Sequence, residues 1–186
     1  DRLLRRELDP DEFYPGLLAT GATDGRQYLL PVAFNLPLVY FTSRVPQVGT
    51  PMVIGAEEMR SRSETFNAME EERWVRLAYS PVWNQAFLYQ YLRTMGFGAH
   101  EGDEGLPEWS FEAVVAGITA AREWLELNGG VEADRAFQER YLYDPQLQLV
   151  RRGRVAYGYE RSDEFFSLSA ARRNELGFRW FGSGTS

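Results

Sequence analysis

The chain has no cysteine, which excludes disulfides, thiolate metal sites and cysteine nucleophiles. It has no lysine either: all 20 basic residues are arginine, read as compositional bias with no functional weight. The Gly-x-x-x-x-Gly-Lys phosphate loop is therefore absent, and so is the Gly-x-Ser-x-Gly elbow of serine hydrolases. His100 is the sole histidine, so no second imidazole offers metal-ligand spacing. The acidic run His100-Glu101-Gly102-Asp103-Glu104 lacks the ligand spacing of an EF-hand and reads as a solvated loop. No apolar run approaches the ~20 residues of a membrane span. The opening Asp1-Arg2-Leu3-Leu4-Arg5-Arg6-Glu7 is not a signal peptide and carries no initiator Met, so the start reads as a processed or engineered boundary. No catalytic group, metal site or cofactor is expected.

What is present suits one globular domain. The 186 residues are 44% hydrophobic and 25% charged, long enough for a real core. A formal net charge of -7 disfavours nucleic acid and anionic membrane as partners, since both need a basic surface. The most informative stretch is residues 24–41. Asp24-Gly25 is a turn dipeptide. The apolar run behind it carries Pro31 and Pro37, which cannot sit inside one central strand. It reads as two strand pieces in tandem, broken between those prolines.

Leu3, Leu4, Leu8 and Phe13 suggest a short helix before this stretch. Residues 42–51 read as a loop. A helix is expected over 56–71, with Met59, Phe66 and Met69 inward. A strand over 74–79 leads to Ser80-Pro81, which reads as N-cap and first helical position. Phe87, Leu88, Tyr91, Leu92 and Met95 then form a stripe that Gly96 ends. Residues 97–107 read as a Gly-rich acidic loop. Ser110 caps a long helix with Val114, Ile118, Ala121 and Leu125 inward, stapled by Trp109 and Val114 and closed by Asn128-Gly129-Gly130. A helix over 132–142, a shorter one from Pro145 to Gly153, a strand over 154–159, a helix from Ser162 and a strand over 177–181 complete the pattern. Strands alternating with helices predict an α/β sheet covered on both faces.

Two strand-to-helix junctions are the candidate binding residues. Ligands of open α/β sheets sit outside the carboxyl ends of strands, where helix N-termini offer N–H donors. Trp83 and Asn84 lie at one junction; Tyr159, Glu160 and Arg161, followed by Ser162, lie at the other. Flat aromatic faces beside hydrogen-bonding groups match the surface of a sugar. Against this, a Trp in a first helical turn commonly packs in the core, and Glu160 and Arg161 can pair with each other. Trp109, Trp124 and Trp180 read as core. Trp74 is uninformative.

The order of these signals resembles the second lobe of extracellular solute-binding proteins of ABC sugar importers. It runs from the Asp24–Val32 crossover, through Tyr79-Ser80-Pro81-Val82-Trp83 and the Ala121-Arg122-Glu123-Trp124 helix, to Tyr141-Leu142-Tyr143-Asp144-Pro145. Gly153-Arg154-Val155-Ala156-Tyr157 then stands where the family has a Gly-Lys/Arg strand. The resemblance covers about residues 12–181 and rests on loose motifs taken in order. It implies a three-layer α/β lobe of the periplasmic-binding-protein type II kind, with a small mixed sheet between helices. Residues 1–30 would be a remnant or crossover from a first lobe, and 31–181 the second lobe. Family members are two-lobed and close about a hinge around the ligand; most of the first lobe is absent here, through truncation or natural loss. The implied function is capture of a carbohydrate or similar small polar solute for delivery to a membrane permease. The implied location is periplasmic or extracellular, with a lipid anchor open to the full-length protein. Asn35 would then face the cleft, or else serve as a bend residue. The alternatives are a lobe of a carbohydrate-processing enzyme, and a lobe turned protein-interaction module.

Overall fold

In the computed structural model the described residues are 16–24, 26–29, 34–45, 52–96, 99–101 and 107–182. The chain divides into two units, Asp1–Asn35 and Leu36–Ser186. The proposed Leu3–Phe13 helix, Gly25, and the Pro31 break lie outside the described residues.

The first unit holds a 3-10 turn, Leu18–Gly21, and a hairpin of β1 (Ala22–Thr23) and β2 (Arg26–Gln27). Thr23 pairs with Arg26 across the expected two-residue turn. Asp24 supplies its positive φ of 50°, which a short polar side chain tolerates.

The second unit is built on β3 (Pro37–Phe41), β4 (Val53–Ile54), β9 (Gly158–Arg161) and β10 (Gly177–Phe181), in the order β4-β10-β3-β9. β3 is antiparallel to both β10 and β9, whereas β4 and β10 are parallel. The sheet continues through a parallel bridge between Leu77 and Val155, two residues ahead of the Tyr157–Gly158 step into β9. β3 shows why helices cover both faces. Val39 and Phe41 enter one core with Met59, Phe87, Tyr91 and Trp124, while Leu38 and Tyr40 enter a second with Phe137, Leu149, Val150 and Phe165. This is the period-two alternation of a strand buried on both sides. Gly158 is needed where β9 passes the Tyr40 ring, which leaves no room for a Cβ.

On the first face lie α1 (Ala56–Ser61), α2 (Ser63–Phe66), α3 (Gln85–Thr94) and α4 (Phe111–Leu127); on the second lie α5 (Gly130–Tyr141), α6 (Gln146–Arg151) and α7 (Ser162–Ser167). A short α8 (Ala170–Arg173) precedes β10. Between α2 and α3 a hairpin, β5 (Ala68–Glu70) and β6 (Arg73–Arg76), turns through Glu71 and Glu72, both at positive φ. β7 (Ala99–Glu101) pairs with β8 (Pro107–Trp109).

Four expectations need correction. The helix expected over 56–71 stops at Phe66, because Asn67 is held elsewhere. Its Oδ1 accepts the Ala78 N–H at 2.7 Å, and its Nδ2 donates to Asn128 Oδ1 at 3.0 Å. Met69 is therefore exposed on the hairpin. Ser80 is not the N-cap of α3; Asn84 is. The acidic loop begins and ends as the β7–β8 ladder. In α4 the buried face is Gly117, Ala121 and Trp124, and Ile118 is 60% exposed. Gly117 sits on that buried face, where a built Cβ would come within 2.8 Å of Leu92 Cδ2, at the close approach of α3 and α4. Ser110 does cap α4, accepting the Ala113 N–H at 3.3 Å. The Trp109 staple falls on a side chain outside the described ones.

Candidate functional site

The parallel register fixes one edge of the sheet as the carboxyl edge. Leu77–Tyr79 runs parallel to Val155–Tyr157, which leads into β9. β4 and β10 end on the same side, since Trp180 pairs with Leu38 and Arg161 pairs with Pro37. Ser80–Asn84 and Glu160–Ser162 both leave the sheet at this edge, where the sequence reading placed them.

The aromatic side chains do not line this edge as flat open faces. Trp83 is half-buried and stacks on Phe137, with ring centroids 5.5 Å apart and planes 7° from parallel. Its edge meets Tyr79 at 5.6 Å. Tyr159 is only 4% exposed and packs edge-on against Phe87 and Phe181. Burial, and then the nearby Glu160 carboxylate, push its hydroxyl up to about 12. A ring so enclosed cannot serve as a platform. β9 alternation turns Tyr159 inward with Val39, its pairing partner on β3.

The polar candidates are engaged locally. Asn84 Oδ1 accepts the N–H groups of Ala86 and Phe87 at 2.9 and 3.1 Å, so the α3 donors expected for a ligand are capped. Glu160 Oε1 accepts the Arg161 N–H at 3.1 Å. The exposed Arg161 guanidinium pairs with Asp163 at 3.0 Å and Glu164 at 3.5 Å. Ser162 Oγ accepts the Leu36 N–H at 3.1 Å, tying the start of α7 to the entry of β3. Asn35 is exposed. Val82, passed over in the sequence, is 40% exposed between Pro81 and Trp83. Of the residues at these two junctions, Val82 and Arg161 are exposed, and Trp83, Asn84 and Glu160 are half-buried.

A buried polar network fixes the shape of the first junction. Asn128 is fully buried; its Nδ2 donates to the Tyr79 carbonyl at 3.0 Å while its Oδ1 accepts from Asn67. Asp134, also buried, accepts from Gln138 Nε2 at 2.7 Å. Burial pushes the Asp134 carboxyl above its ordinary value, an effect opposed by the hydrogen-bonding groups of Gln138, Ser80, Trp83 and Asn128 around it. The Trp83 indole N–H is therefore turned toward the protein interior. An acid whose pKa is higher folded than unfolded binds more protons in the native state between the two values. Stability then falls as pH rises from about 4, the unfolded value, through the raised folded value. Asp134→Asn is expected to flatten that fall. Melting temperatures from pH 4 to 7 check it, and equal slopes for the two proteins would remove Asp134 from the account.

A separate hollow of about 270 Å³ lies away from this edge, between the β5–β6 hairpin and α5. Trp74 and Phe137 give it aromatic walls, with Arg73, Arg140 and Glu72 at its rim. Trp74 could not be singled out from the sequence, because half of the hollow comes from α5, far along the chain. Among the described residues no cluster of histidine, aspartate and glutamate could hold a metal ion, and no helix is long and apolar enough to cross a membrane.

No family model matches the sequence, and no curated protein matches it. Two solved structures share its fold. A cyclo/maltodextrin-binding protein complexed with maltotetraose superposes with a TM-score of 0.56 at 13% identity, over 98% of this chain and 44% of that one. The GacH receptor of Streptomyces glaucescens GLA.O, solved unliganded and with acarbose and an acarbose homologue, gives 0.55 at 14% identity, over 96% of this chain and 45% of that one. The chain therefore spans less than half the length of either protein, and its mixed α/β fold is shared with part of each of them.

Proposed function

We propose that this chain is one lobe of a non-catalytic carbohydrate-binding protein, supplying one wall of a two-walled sugar site. The observation that carries the reading is the likeness of nearly the whole chain to under half of two sugar-binding proteins. The wall would be the carboxyl edge, with Val82 and the free surface of Trp83 as its apolar part and Asn84, Glu160 and Arg161 as its polar part. Tyr159 would support that wall from behind through Phe87. Asn35 would stand at the passage between lobes, with residues 1–30 as the crossover and 31–181 as the lobe. Delivery of the captured solute to an ABC permease, in the periplasm or outside the cell, completes the proposal.

A lobe by itself holds half the contacts and cannot close over its ligand. Titration of the 186-residue chain with maltotetraose is expected to show saturable binding with a dissociation constant of about 1 mM or weaker. Micromolar affinity would overturn the half-site account, and absence of binding at tens of millimolar would overturn the sugar reading.

A further inference from the structure

The opposite edge of the sheet carries a second feature. Phe41, at the end of β3, pairs with Gly177 at the start of β10. Thr42, Ser43 and Arg44 follow there, next to Arg152 and Gly153, which precede the Leu77–Val155 bridge. Two open hollows of about 530 and 390 Å³ adjoin at this edge, sharing Arg44 and Arg152. Arg62 and Arg76 line the first, and Arg151 the second.

Five arginines thus line the two adjoining hollows, with Glu175 also at the second, on a chain whose net charge is -7. Arg151 pairs with Glu175 at 2.7 Å, and Arg152 pairs with Asp144. Both also complement the C-terminal end of α6, so an ordinary structural role accounts for them. Arg62 is likewise held by the protein, beside the buried hydroxyl of Tyr157. No such role accounts for Arg44 and Arg76. Arg76 Cζ lies 5.5 Å from the centroid of the Phe66 ring, a cation–π contact at the wall. Arg44 crosses the backbone at Gly153, which has a φ of +70° and leaves only 3.1 Å between a built Cβ and Arg44 Nη1. The chain after it, Pro46-Gln47-Val48-Gly49-Thr50-Pro51, contains no acid. Like charges gathered from separate elements repel unless an anion is shared between them.

We propose that this groove binds a small multivalent oxyanion of the phosphate-ester or polyphosphate class. Guanidinium forks match phosphate oxygens two at a time. The concave, Phe66-walled hollow has the size of a small-molecule site rather than of a flat protein-docking surface. The site is independent of the sugar reading, because it lies at the other end of the strands.

Inorganic pyrophosphate is the probe, titrated by calorimetry at about 0.15 M ionic strength so that diffuse attraction is screened. Saturable one-to-one binding is expected, weakened about tenfold or more in Arg44→Ala/Arg76→Ala. Both side chains are exposed, so the unliganded melting temperature should hold. Should it fall, Arg76→Lys keeps the charge without the planar fork and is expected to bind more weakly than the parent chain. Three results would overturn the proposal: no saturable heat; equal affinity in all variants, meaning an adventitious ion only; or preference for a glutamate-rich peptide, meaning an acidic protein partner.

Discussion

Trp83→Ala is expected to lower stability by about 3 kcal/mol, because it empties the space between Phe137 and Tyr79. In a chain of this size that is a fall of about 6–12 °C in melting temperature. The indole belongs to both cores: it packs against the aromatic cluster of the first face and against Phe137 on the second. Removing it also takes the N–H from the surroundings of Asp134. The change acts on sugar binding as well, through the shape of the Ser80–Asn84 turn and the surface the ring still shows. Differential scanning calorimetry decides how these effects divide. A melting temperature within a degree or two of the parent, with sugar binding abolished, would make Trp83 a ligand platform and not the packing residue described above.

The second large effect is expected at Asn128. Asn128→Leu keeps the branched four-atom outline of the side chain, with bulkier methyl ends, but removes a donor to the Tyr79 carbonyl and an acceptor for Asn67. The carbonyl is then left buried without its partner, at a cost of about 2–3 kcal/mol. Asn67 and Asn128 act as one unit, so the double variant with Asn67→Ala should cost less than the two single changes together, by at least about 0.5 kcal/mol. Chemical denaturation of the four proteins measures this coupling. Strict additivity would show that the two amides stabilise the chain separately.

That network also marks where the sequence stopped being legible. Features set by neighbours in the chain were readable: the Thr23–Arg26 hairpin pairing, the Ser110 cap, the Asn128-Gly129-Gly130 stop and the 177–181 strand all match the structure. Features set by distant partners were not. Asn67 reads as an ordinary polar residue in a helix, and only Ala78 and Asn128, brought up by folding, show why the helix ends there. Ser80-Pro81 has the form of a helix start, yet the chain first makes a turn in which the Trp83 N–H donates to the Ser80 carbonyl at 3.2 Å. Asn84 then caps the helix instead. The buried face of α4 includes Gly117, a residue without hydrophobicity to read, which lies against Leu92.

The two strand-to-helix junctions were legible in position, but the orientation of their side chains was not. Both junctions do leave the sheet at its carboxyl edge. Whether Tyr159 points into the core or out of it depends on strand register, set by pairing with β3. The arginine groove was not legible at all. Its residues are spread over positions 44 to 152, and the absence of lysine made arginine look like background composition.

The sugar wall we propose is the carboxyl edge of the sheet. The direct measurement is a backbone amide NMR titration of the 186-residue chain with maltotetraose. The account predicts saturable shifts confined to the Val82–Gln85 and Glu160–Asp163 amides, with Trp74 and Arg140 unmoved. Shifts centred on Trp74, Ala133 and Arg140 instead would move the site to the hairpin–α5 hollow, and an unperturbed spectrum would contradict sugar binding by this lobe.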